Sequence, residues 1–138
     1  VGFASVYAAH AATNPAQAAR TLNVSDEAHL RLTGTAGEEL EEEGPATGAL
    51  PGKVYARFIV GSSMTGSFTL YPHGGGSITG HGSARLHSTV TYASFGGTLT
   101  VSHGTGRYAH AHGSGGFYGV VDRHTDALTV KTTGRLSY

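Results

Sequence analysis

The segment Gly97–Gly119, G-T-L-T-V-S-H-G-T-G-R-Y-A-H-A-H-G-S-G-G-F-Y-G, constrains this chain most, because a fainter copy precedes it at Gly66–Ala84. Each copy opens on Gly, Ser/Thr, apolar, Thr, apolar. It then reaches a His-Gly-x-Gly (His73–Gly76, His103–Gly106) and returns through a His-Gly-Ser (His81–Ser83, His112–Ser114). Two alternating runs about a glycine turn make a β-hairpin, and a hairpin repeated along a chain makes a meander of antiparallel neighbours.

Beyond Leu22 the apolar period stays at two. Val24, Asp26, Ala28, Leu30 and Leu32 share one side of a first strand, with His29 and Arg31 on the other. Further strands are expected at Glu39–Leu50, Lys53–Val60, Met64–Tyr71 and Ser77–His87. Val90–Phe95 and Gly97–Ser102 read as one strand broken by a bulge at Gly96-Gly97. Arg107–Ser114 runs on toward Val121 through a Gly115-Gly116 kink, and Ala127–Tyr138 closes the chain. About eight strands with short turns and no helix signal must protect their edges, and closure into an up-and-down barrel does so most simply. A two-sheet sandwich is the alternative. The expectation is therefore an all-β chain, a closed antiparallel barrel over residues 20–138 as one domain.

Residues 1–19 differ in kind: Ala-rich, without charge, and ending in small residues spaced as a signal peptidase requires. They read as the remnant of an export signal, or as a helical or disordered N-terminal arm. Export predicts a secreted protein. Lys and Arg (9) balance Asp and Glu (9), so no basic field exists to attract nucleic acid or an anionic membrane. No other stretch is long and apolar enough for a membrane helix. Without cysteine, disulfides and thiolate chemistry are absent.

The run Ser94-Phe-Gly-Gly-Thr-Leu-Thr-Val-Ser-His-Gly-Thr-Gly-Arg-Tyr-Ala109 resembles a hairpin of the dirigent and allene-oxide-cyclase-like barrels and of secreted bacterial proteins similar to them. There a strand is followed by Gly-Thr-Gly-Lys/Arg-Tyr/Phe, then by a Gly- and Ala-rich strand and a final one, here Leu128–Tyr138. The resemblance implies an antiparallel barrel with one apolar cavity, assembled as a homo-oligomer, often a trimer. At most it implies a cofactor-free cyclase or stereochemical guide that shapes a reactive small molecule.

Several constellations carry candidate chemistry. In the second strand Leu40, Glu42, Gly44, Ala46, Gly48 and Leu50 share a parity, so an inward face there carries Glu42 into the lumen. A desolvated carboxyl has a raised pKa and is suited to exchange a proton with a bound molecule. The plain alternative is that Glu38, Glu39, Glu41, Glu42 and Glu43 are all solvated. Tyr108 is the second catalytic candidate. Tyr55 and Arg57 are expected to hold ligand beside Glu42, although they alternate opposite to Phe58. Tyr92, Phe95 and Phe117 are the aromatic candidates for a cavity lining.

His110-x-His112 would present two imidazoles on one face of a strand, a start toward a metal site. Asp122–Asp126 reads as a polar turn. The reading that follows is an exported barrel binding a small apolar molecule, with no cofactor. A non-catalytic extracellular module that self-associates and a histidine-based metal binder are the alternatives.

Overall fold

The computed structural model describes residues 20–88 and 91–138; the Ala-rich residues 1–19, and Val90 at the expected start of a strand, lie outside them. Eight strands follow one another: β1 (Thr21–Ala36), β2 (Glu39–Gly48), β3 (Gly52–Val60), β4 (Ser63–Pro72), β5 (Ser77–Ser88), β6 (Tyr92–Thr105), β7 (His112–Asp122) and β8 (Leu128–Ser137). Each pairs with the next in antiparallel fashion and β8 returns to β1, so the sheet is a closed barrel in sequence order. The sandwich is thereby excluded. The only helical piece among the described residues is a 3₁₀ turn at Gly106–Tyr108.

The period of two decides which side chains enter the barrel. Paired residues share a face, and the ladder Leu32↔Glu42↔Ala56↔Phe68 carries the inward set of β1 across to β4. Outside stand Lys53, Arg57, His81, Arg85 and many Ser and Thr. An apolar lumen under a polar outer face is the reverse of a barrel that faces lipid.

Two groups of inward side chains fill the ends. Leu50, Leu70, Ile78, Tyr108 and Leu136 pack at one, and Leu30, Phe58, Met64, Phe95 and Leu128 at the other. Each such side chain contributes roughly 1.5–3 kcal/mol by leaving water.

The turns and bulges depart from the expected pattern in three places. β6 runs unbroken through Gly96 and Gly97, which pair in register with Arg85 and Ala84. The irregularities fall instead in β1 between Leu32 and Gly34, and where Thr79 and Gly80 of β5 face β6, leaving Ser102 unpaired. Gly115 and Gly116 likewise stay in register. Finally, the two copies of the repeated hairpin do not turn alike. The first turns at His73–Gly76, whereas β6 extends to Thr105 and the chain reverses over Gly106–Ala111. Gly106 takes a left-handed conformation (φ 62°) there, and Tyr108 folds inward.

Glycine within the strands has a steric cause. A Cβ at Gly97 would run into the Ser83 carbonyl oxygen and within 2.6 Å of the Ala84 Cα. The barrel coils tightly enough there that neighbouring backbones occupy the space of a side chain. Gly116, on the outer face, would place a Cβ no nearer than 3.6 Å to another atom. Gly97→Ala is therefore expected to destabilise by about 1–3 kcal/mol, whereas Gly116→Ala stays within about 0.5 kcal/mol. Thermal melts of the two variants side by side check this; equal losses would show that the inward approach is not limiting.

Candidate functional site

Between the two packed ends the lumen holds a cavity of about 200 Å³. Ala28 and Val54 belong to the packing of both ends and stand at the junction where it opens. Its walls are apolar almost throughout, with Leu30, Val54, Phe95, Leu99, Phe117 and Val130 prominent among them. The Phe95 and Phe117 rings lie 5.9 Å apart at 58°. The space exceeds the roughly 150 Å³ of an apolar cavity that stays dry and admits benzene. It falls short of the roughly 300 Å³ at which sites for drug-sized ligands begin. The residues around it suit one small ring or a short branched chain.

Of the polar residues along this space, Asp26 and Thr132 have the inward parity of their strands, which are adjacent. Asp26 and Thr132 are directly paired across the β1–β8 ladder. The Leu50 backbone N–H donates to Asp26 Oδ1 at 3.1 Å and Oδ2 at 3.3 Å, tying the carboxylate to the β2–β3 turn. Gly48 makes the approach possible: its φ is 125°, and a Cβ there would lie 2.6 Å from Asp26 Oδ1. Neither Asp26 nor Thr132 was singled out as a candidate from the sequence. The signal was present, because both alternate in phase with the lumen residues of their strands.

Glu42 does not line the cavity, although its β3 partner Ala56 does. It is 2% exposed, inward, between Leu32 of β1 and Ala56 of β3. Neither carboxyl oxygen has a hydrogen-bond partner among the described residues. Burial, and secondarily the negative charge of Asp126 in the β7–β8 turn, raise its pKa from 4.5 to about 7. The group is therefore largely neutral below about pH 7 and ionises as the pH rises past it. No register slip exchanges it for Glu43, which faces outward 3.6 Å from Lys53 Nζ, as Glu41 faces Arg57 at 3.5 Å.

The remaining candidates separate. Phe95 and Phe117 line the cavity as expected. Tyr108 is buried at one mouth, its ring 4.9 Å from that of Tyr138, and closes the lumen. Tyr55 and Arg57 stand on the outer face, as their opposition to Phe58 demands. Tyr55 meets Tyr71 edge-on at 5.6 Å, and Lys53 Nζ sits 4.9 Å above its ring. Tyr92 is also outward and 51% exposed. The structure does not bring these three side chains into the lumen.

His110 lies in the β6–β7 turn and only His112 is on a strand, its Nδ1 3.1 Å from the His110 carbonyl oxygen. The two imidazoles therefore lack the shared strand face that a metal site was expected to use. Among the described residues no group of three or more His, Asp or Glu is placed to hold a metal ion. Asp122–Asp126 forms the expected polar turn: the His124 N–H donates to Asp122 Oδ1 at 2.8 Å, and Asp126 is left-handed (φ 61°). No protein-family model matches the chain, and no curated protein matches its sequence.

Glu42 makes stability depend on pH in a definite direction. It holds its proton in the folded protein up to about pH 7 and releases it near 4.5 when unfolded. The folded state binds more protons across that window, so stability falls as pH rises through it, by on the order of 3 kcal/mol. Glu42→Gln is expected to match the parent at about pH 5 and to melt higher than it at about pH 8. Parallel melting profiles for the two proteins would exclude Glu42 as the source.

Proposed function

We propose that this barrel binds one small, largely apolar molecule in its lumen. The carrying observation is the cavity itself: a purely structural barrel would be filled by its own side chains, and this one is not. An unfilled space of 200 Å³ forgoes on the order of 5 kcal/mol of packing. A molecule that restored that much would bind with a Kd of a few tenths of a millimolar or tighter. The resemblance carried by Ser94–Ala109 supports the same reading.

The reading extends to chemistry in a limited way. A dry lumen that holds one conformer favours ring closure or isomerisation of its occupant without a cofactor. Glu42 is the acid with the matching protonation state, yet it is not part of the cavity wall that its β3 partner Ala56 helps to form. Binding is therefore the primary role, and proton transfer by Glu42 a secondary one that requires the wall to move.

Toluene is the probe for the primary role, followed by methyl chemical shifts of Leu30, Val54 and Val130. Saturable shifts confined to lumen residues are expected in the parent. Ala28→Phe, which fills the junction between the packed ends, is expected to abolish them without lowering the melting temperature. Absence of saturable binding at millimolar toluene, or binding undisturbed by Ala28→Phe, would overturn the proposal.

A further inference from the structure

We infer that the lumen selects molecules that donate a hydrogen bond, namely small alcohols, phenols or amines with an apolar body, and that Asp26 is the residue that selects them. The inference rests on the lumen being a binding site and concerns what it accepts. A carboxylate offers about four acceptor positions and no donor. Among the described residues only the Leu50 N–H reaches Asp26, and no cation pairs with it. Asp26 is thus a cavity-lining acid held by one backbone donor, with acceptor capacity left over.

Thr132 sharpens the selection. Its hydroxyl has no hydrogen-bond partner among the described residues, and it stands directly across the ladder from Asp26. Opposed pairs have Cβ atoms about 4.5–5.5 Å apart, so one hydroxyl or ammonium head can meet both. Even with the Thr132 proton spent, the pair retains more acceptors than donors. A ketone, aldehyde or ether would leave the carboxylate unmatched in an apolar surround, which is costly. An alcohol, phenol or amine head matches it.

The test compares probes of equal size and opposite polarity. Phenol and toluene differ by a hydroxyl in place of a methyl. With no acceptor in reach, the lost hydration of the hydroxyl would make phenol about tenfold weaker or worse. With Asp26 in reach, phenol is expected to bind at least as tightly as toluene. Asp26→Asn keeps an oxygen for the Leu50 N–H and turns an amide toward the lumen. It is expected to weaken phenol about tenfold or more, to leave toluene within about threefold, and to strengthen benzaldehyde, which only accepts.

Toluene binding with phenol tenfold weaker in the parent would overturn this inference and leave the lumen reading standing. So would phenol binding unmoved by Asp26→Asn. Failure of every probe in the parent would remove the lumen reading itself, and this inference with it. The parent comparison of phenol with toluene stands even if the variant does not fold.

Discussion

The β1–β8 ladder, running from Thr21↔Ser137 to Leu30↔Leu128, turns a row of hairpins into a body with an inside. Until those strands meet, the sheet has two open edges and two ordinary faces. Once they meet, no edge is left for another chain to pair with, and every side chain is committed to the lumen or to solvent. Register then acts globally. A slip of one residue anywhere would turn a whole strand inside out, exchanging Glu42 for the lysine-paired Glu43. Each of the two bulges shifts the alternation of its own strand by one, so the inward positions pass from Leu32 to Thr35 in β1 and from Val101 to Gly104 in β6.

Closure also explains why two inward-facing acids in one barrel differ, one half-buried and one fully enclosed. Asp26 is held by a backbone N–H from the β2–β3 turn and borders open space. Glu42 is enclosed by neighbouring walls with no donor, so its neutral form is favoured.

The architecture was legible in the sequence because it depends on a period of two, which the alternation of Val24 to Leu32 and of Leu40 to Leu50 displays openly. The same parity grouped Glu42 with Leu40 and Leu50 and set Tyr55 and Arg57 opposite to Phe58, but left open which face is the lumen. Expecting that pair to hold ligand asked them to break the alternation. The β6–β7 reversal was misplaced because Gly104 and Gly106 both read as turn glycines, while only Gly106 has the left-handed backbone. The bulges were assigned to paired glycines, yet they fall beside Thr33 and Ser102, where ladder geometry rather than residue type decides. The cavity depends on summed side-chain volume across eight strands, a quantity no local window contains. Asp26 carries no local signal beyond its place in an apolar row, because its tie to the Leu50 N–H joins residues 24 positions apart.

Glycine on the inner wall has an evolutionary corollary. At Gly44, Gly97 and Gly113 the backbone of the adjoining strand already stands where a methyl group would go. Descent can therefore explore almost nothing at those sites. Heritable change in what the interior accommodates is channelled to the few positions with a side chain to exchange, such as Ala28, Val54, Val101 and Val130. A lineage built on this shell can thus diversify its contents while the container stays frozen.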